Sequence, residues 1–255
     1  MKLMFIGDVV GASGCEFLGS RIRGLKQKYN VDITVINGEN SATGNGITAV
    51  SCEYLTRIGA DVITTGNHAF KRRESLSIFD EVEHLVRPCN YPDGVMGRGY
   101  YVLDLGRTQV AVVNLMGVVY MEPLGNPYEA MDRVLSEIGT KNIFVDIHAE
   151  ATAEKKALGY YLDGRVTAVL GTHTHVQTAD ETVLSNGTAY ITDVGMTGPE
   201  ESVLGVDKVP AIEKQRLNVP VRFVEADTPC MINGVVVEFD EKTGKALKIE
   251  RFIER

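Results

Sequence analysis

The chain has 255 residues, 44% of them hydrophobic and 24% charged, a composition ordinary for a globular protein and long enough for a well-buried core. A net charge of -8 and an isoelectric point near 5.2 argue against a protein that coats long nucleic acid, because the basic clusters Lys71-Arg72-Arg73 and Lys155-Lys156 are short. The four cysteines are scattered with no CxxC pair, which speaks against a thiolate zinc site or a disulfide scaffold.

In chain order, residues 2–6 read as a first strand. Their apolar run breaks at Gly7-Asp8, too early for a secretory signal. A helix follows with Leu18, Ile22, Leu25 and Tyr29 on one face. Residues 31–36 form a β-branched second strand, and the next helix carries Ile47, Val50, Tyr54, Leu55 and Ile58 on one stripe. Residues 61–65 read as a third strand and 73–83 as another helix. Residues 99–105 and 109–114 pair through the turn Gly106-Arg107.

A helix with Met131, Val134, Leu135 and Ile138 on one face comes next, then a strand at 142–147, a helix at 151–161 and a strand at 165–170. The last fifth reads as strands 219–224, 229–239 and 245–252, with a turn at 240–244. The longest apolar stretch, residues 110–121, contains Asn114 and is too short to cross a bilayer. Alternating β and α elements with a strand-rich middle and end predict an α/β fold. We expect one domain over residues 1–255, two mixed sheets flanked by helices in a four-layer α-β-β-α sandwich.

Polar residues concentrate just past the strands. Strand one ends in Gly7-Asp8, strand two in Asn37-Gly38-Glu39-Asn40 and strand three in Gly66-Asn67-His68. The 142–147 strand ends in His148, and the 165–170 strand in Gly171-Thr172-His173-Thr174-His175. In open α/β sheets ligands bind beyond the carboxyl ends of the strands, so these loops share one expected crevice. Of five histidines, only His84 lies outside them. Asp8 and Glu39 offer carboxylates, Asn40 and Asn67 amide oxygens, and His148, His173 and His175 imidazoles. That mixture suits a pair of manganese, iron or zinc ions.

Bland readings stand beside these. The Gly7–Gly14 segment could serve a nucleotide, but lacks both the GxGxxG spacing and a GK[ST] ending. Asn37-Gly38 could be a simple turn, and Asn67 a left-handed turn residue. Lys71-Arg72-Arg73 reads either as a solvated face or as a phosphate-steering cluster. Asp146 and Glu150 flank His148 and read either as orienting carboxylates or as surface charges.

Taken together, Gly7-Asp8-Val9-Val10, Asn37-Gly38-Glu39-Asn40, Gly66-Asn67-His68, the isolated His148 and Gly171-Thr172-His173-Thr174-His175 resemble the calcineurin-like metallophosphoesterase superfamily. Val10 stands where that superfamily has a histidine, and Glu39 where it usually has aspartate. Both departures match the bacterial YmdB-like branch, which residues 146–156 and 192–198 also resemble.

The resemblance implies a 2′,3′-cyclic-nucleotide phosphodiesterase with a di-iron or dimanganese centre, an oligomer, and a role in RNA-related regulation. Carried over residue by residue, it implies one metal on Asp8, Glu39, Asn40 and His175, and another on Glu39, Asn67, His148 and His173. A hydroxide between them would attack phosphorus while His68 protonates the leaving oxygen or bonds the phosphoryl group. The expected substrate is a small phosphodiester or nucleotide, in a cytoplasmic protein with no membrane partner. Two alternatives stay open: a metal-dependent phosphomonoesterase or 5′-nucleotidase, and a regulatory nucleotide-binding module with a structural metal site.

Overall fold

A computed structural model describes all of residues 1–255. The chain runs β1 (Lys2–Ile6), β2 (Asp8–Val9), α1 (Gly11–Tyr29), β3 (Ile33–Asn37), α2 (Ala49–Ile58), β4 (Val62–Thr64) and α3 (Ile78–Glu81). It continues through β5 (Tyr100–Asp104), β6 (Gln109–Met116), α4 (Pro127–Glu137), β7 (Ile143–His148), α5 (Thr152–Tyr161) and β8 (Ala168–Thr172). It closes with β9 (Thr182–Val183), β10 (Ala189–Ile191), β11 (Met196–Pro199), α6 (Lys208–Leu217), β12 (Cys230–Phe239) and β13 (Ala246–Glu254).

Two mixed sheets result. In the first, β1, β3 and β4 are parallel, and β12 runs antiparallel to β1, β11 and β13. In the second, β6, β7, β8 and β10 are parallel, with β5 and β9 as antiparallel edges. The two-residue period of a strand sorts side chains between layers. Leu3, Phe5, Ile33 and Val35 face Val110, Val112, Phe144 and Leu170 in a core between the sheets. Met4, Ile6 and Ile36 turn outward onto Leu18, Ile22 and Leu55 of α1 and α2. Val113, Val145, Ile147 and Val169 turn outward onto Met131, Val134 and Leu158 of α4 and α5. The fold is thus the four-layer α-β-β-α sandwich that the sequence pattern predicts. No helix is long and apolar enough to cross a membrane.

Several local expectations are corrected. The helix expected at 73–83 is a short 3-10 turn at Arg73–Ser75 and the single turn α3. Val50, expected on the buried stripe, is 78% exposed, and Ile47 precedes the Thr48 cap of α2. The strand expected at 219–224 is an irregular exposed segment; Pro220 has no N–H to donate to a ladder. Ahead of it lies α6, which the periodicity missed because Ala211 is its only buried residue. Its start is set by Asp207, whose side chain accepts from the Val209 N–H at 2.8 Å.

Candidate metal centre

The site forms where the carboxyl ends of strands from both sheets meet. Asp8 follows β1, Glu39 and Asn40 follow β3, and Asn67 and His68 follow β4. The second sheet contributes His148 as the last residue of β7, and His173 and His175 just past β8. Gly66 makes this closeness possible: a Cβ there would lie 2.4 Å from Glu39 Oε2 and 2.2 Å from His148 Cδ2.

All eight residues singled out in the sequence converge. Around His148 Nε2 lie Asn67 Oδ1 at 2.9 Å, His173 Nδ1 at 3.1 Å and Glu39 Oε1 at 3.2 Å. Glu39, His148 and His173 each present a ligand atom within 4.8 Å of the others. On the other side of Glu39, Asn40 Nδ2 lies 3.0 Å from Glu39 Oε1 and 3.4 Å from His175 Nε2. His175 Nε2 is 3.7 Å from Asp8 Oδ1.

His68 sits at the rim, its side chain 23% exposed. Its backbone N–H donates to Glu39 Oε2 at 3.1 Å, and its Nδ1 lies 2.8 Å from Asn40 Oδ1. The Asn40 amide therefore turns its oxygen toward His68 and its nitrogen toward His175. Ligation through the Asn40 oxygen on the His175 side requires a half-turn of that amide.

The donor set fits metal ions. Asp8 and Glu39 are fully buried, and Asp8 Oδ1 has no hydrogen-bond partner in the chain. Two buried carboxylates of like charge call for a cation. Burial, and to a lesser extent Glu39 and Asp193, raise Asp8 above the usual carboxylate range against the opposing pull of His175 and His148. Burial would raise Glu39 as well, but the His148 and His68 imidazoles hold it well below that range. Burial opposes protonation of His148, yet Glu39, Asp8 and Asp146 bring it up to about 9. His173 is pushed down to about 3 by burial and by the His148 charge.

A surrounding set of bonds orients the ligand atoms. Thr172 Oγ1 donates to Asp146 Oδ1 at 2.6 Å and so accepts from His148 Nδ1 at 2.9 Å, which leaves His148 Nε2 as the ring nitrogen turned toward the site. Asp146 also accepts from Thr64 Oγ1 at 2.5 Å and Asn37 Nδ2 at 3.0 Å. Burial nevertheless pushes its carboxyl up to about 7. Asp146 thus acts on His148 through Thr172, whereas Glu150 reaches a different ring, His173 Nε2, at 3.1 Å. His175 Nδ1 lies 3.2 Å from the Leu204 carbonyl, which can only accept, so its Nε2 is the ring nitrogen turned inward.

Other bland readings are replaced too. Asn37 Oδ1 accepts the Glu39 N–H at 3.2 Å, so the Asn37-Gly38 step positions the acid. Asn67 is not in a left-handed conformation; His173 (φ 95°) and His175 (φ 62°) are. Such backbone is strained for these residues and persists only where its surroundings hold it. Arg72 does not sit free: it donates to the Thr43 carbonyl and, at 2.8 Å, to the Asn45 carbonyl.

Sequence reasoning missed Asp193 and Lys155 as parts of the site. Asp193 accepts from Thr174 N at 3.0 Å, Thr174 Oγ1 at 2.6 Å and Gly195 N at 2.8 Å, clamping the loop that carries both histidines. The signals in the sequence were the family resemblance of residues 146–156 and 192–198, which contain Lys155 and Asp193, and a carboxylate placed just after the apolar Ala189-Tyr190-Ile191.

Comparison with known proteins places the chain in one family. Residues 4–252 match the family model described as YmdB-like protein. A 2′,3′-cyclic-nucleotide 2′-phosphodiesterase of Bacillus subtilis (strain 168) is 47% identical, over 99% of this chain and 97% of the relative. A solved hypothetical protein from Thermus thermophilus superposes with a TM-score of 0.94 at 38% identity, covering 100% of this chain and 99% of its own. A novel phosphatase from Mycoplasma pneumoniae superposes with a TM-score of 0.95 at 33% identity, covering 100% and 93%.

Proposed function

The chain belongs to the YmdB-like family, and from that premise we propose that it is a metal-dependent phosphodiesterase acting on 2′,3′-cyclic nucleotides. The observation that carries this reading is the cluster of Glu39, His148 and His173 ligand atoms, with the unpartnered Asp8 Oδ1 beside it. Asp8, Glu39, Asn40 and His175 would hold one ion, and Glu39, Asn67, His148 and His173 a second. The donor types suit iron or manganese and accept zinc. When bound, such ions supply Lewis acidity toward phosphoryl oxygens and make water a competent nucleophile at neutral pH.

The chain's own residues do the rest. Thr172 and the Leu204 carbonyl fix the rings of His148 and His175 with Nε2 turned inward. His68 has its Nδ1 turned to the acceptor Asn40 Oδ1 and no hydrogen bond at Nε2, so the imidazolium form would present an Nε2–H to the departing O2′. Breaking the P–O2′ bond would leave a nucleoside 3′-phosphate. The same reading takes residues 1–255 as one domain and the enzyme as cytoplasmic and homo-oligomeric. Assembly is supported by Val209, Ile212 and Leu217, which α6 leaves exposed.

The test is turnover of 2′,3′-cyclic AMP by metal-stripped protein resupplied with manganese or, without oxygen, ferrous iron. Metal-dependent release of 3′-AMP is the expected result. Two tightly bound ions with no turnover of any phosphoester would overturn the reading in favour of a binding module. The solved Mycoplasma pneumoniae relative, called a phosphatase, gives a specific reason to run a phosphomonoester alongside.

A further inference from the structure

The metal-ligand candidates account for only part of the surface that a nucleotide would occupy. Beside them lies a cavity of about 460 Å³, lined among others by Asn40, Lys71, Gly205, Arg222 and Phe223. Its volume is that of a small-molecule site. Two contacts join it to the centre: Asn40 is shared, and Gly205 follows Leu204, whose carbonyl meets His175.

Three side chains there have no polar or aromatic partner within the chain. Lys71 and Arg222 form none of the chain's ion pairs and make no side-chain hydrogen bond, whereas Arg72 is held by the Asn45 carbonyl. Phe223 is 51% exposed and its ring packs on no other aromatic ring, whereas Phe5, Phe79, Phe144 and Phe239 are buried.

The segment carrying Arg222 and Phe223 is nevertheless anchored. Asp207 N donates to the Val224 carbonyl at 2.9 Å and Ala226 N to the Gly205 carbonyl at 3.1 Å. The Glu225 carboxylate accepts from Ser13 N at 3.1 Å at the start of α1, so its charge is already engaged by that helix end. Two unpaired cations and an exposed aromatic face held beside a phosphoryl-binding centre make a nucleoside site. The face stacks a base, and the cations meet the phosphate.

We propose that this cavity is the nucleoside subsite of the enzyme, with Phe223 stacking the base and Lys71 and Arg222 attracting the anionic group. The proposal rests on the phosphodiesterase reading and names where that reaction's selectivity for nucleotides resides. Phe223 makes the difference between a nucleoside cyclic phosphate and a cyclic phosphate without a base.

Two substrates on the metal-loaded enzyme test it: 2′,3′-cyclic AMP and glycerol 1,2-cyclic phosphate, which has the strained diester and no base. Phe223→Ala should raise KM for 2′,3′-cyclic AMP about tenfold with kcat nearly unchanged, and leave glycerol cyclic phosphate unaffected. Phe223→Tyr, which keeps the face, should restore the parent KM. The double variant Lys71→Met/Arg222→Met should raise KM for both substrates, less so at high salt.

Calorimetric binding of 3′-AMP to metal-stripped protein gives a second readout, in which Phe223→Ala should also bind about tenfold more weakly. An unchanged KM and an unchanged 3′-AMP affinity in Phe223→Ala would overturn the subsite, as would an equal loss on both substrates. Failure of the parent enzyme on both diesters would instead overturn the phosphodiesterase reading, and the 3′-AMP titration would still decide the subsite.

Discussion

Lys155 Nζ lies 2.8 Å from Asp193 Oδ2, and both side chains are buried. The pair joins α5 to the segment after β10, and Asp193 passes the constraint on to Thr174, between the two left-handed histidines. Removing one partner of a buried pair leaves an uncompensated charge, which costs about 3–5 kcal/mol. Lys155→Met should therefore lower the unfolding free energy by an amount of that size, read as a lower urea midpoint, and also reduce bound metal. An unchanged midpoint with unchanged metal content would show that the pair does not hold the histidine loop.

His68 and Glu39 should separate chemistry from metal binding. His68→Ala should keep its metal content and lose about 10²–10⁴-fold in turnover, the usual span for a positioned proton donor. Glu39→Ala should lose the metal itself, because Glu39 Oε1 sits within 3.2 Å of His148 Nε2 and 3.0 Å of Asn40 Nδ2. Elemental analysis of the two purified variants, set beside their rates, decides between the roles. Loss of metal from His68→Ala would remove that histidine from the proton-donor assignment.

Metal removal should also cost stability, because a cation relieves the repulsion between buried Asp8 and Glu39. A ligand at a thousand times its dissociation constant stabilises the folded state by about 4 kcal/mol. Chelated protein should melt several degrees lower, and manganese should restore the parent Tm. Identical melting curves with and without chelator would argue that no ion binds there.

Glu225 replaces a missing local cap. Val10, at the N-cap of α1, has no side-chain acceptor, and Glu225 accepts from Ser13 N and Ser13 Oγ across the fold. Glu225→Ala should cost about 1 kcal/mol, as for a lost cap. Glu225→Gln, which keeps an acceptor oxygen, should lose less. Thermal unfolding of the two variants measures the difference.

His84, the one histidine outside the site, predicts a stability effect with pH. Burial lowers its pKa below the ordinary 6.5, more than Asp61 and Glu83 raise it. A depressed imidazole pKa means that the unfolded chain takes up the proton first. This contribution is complete above about 6.5 and is lost as pH falls from there toward the folded value. His84→Gln should flatten that part of the stability–pH curve, and urea titrations at a series of pH values would show it. An unaltered slope would place the acid sensitivity elsewhere.

How much of this was legible in the sequence differs from element to element. The strands β1, β3, β4, β6, β7 and β8 were visible because their faces are buried and their composition is β-branched. The polar residues at their carboxyl ends were visible for the complementary reason: side chains such as Asp8, Asn67 and His173 interrupt an apolar pattern where a strand stops. Elements without a buried face left no such trace. α6 buries only Ala211 and went unread, and residues 219–224 look strand-like but have no neighbouring strand to pair with.

By itself, then, the sequence determined the layer architecture and the chemical types at the strand ends, since both follow from local hydrophobic period and residue identity. Only the tertiary structure decided which of those residues share a crevice, because Asp8, Glu39 and Asn67 come from one sheet and His148, His173 and His175 from the other. Tertiary packing also set Asp146 on His148 through Thr172, Glu150 on His173, and Lys155 on Asp193. The physical reason is that these bonds span turns of chain whose closure depends on strand order and sheet packing. No local pattern of hydrophobicity or turn residues carries that information.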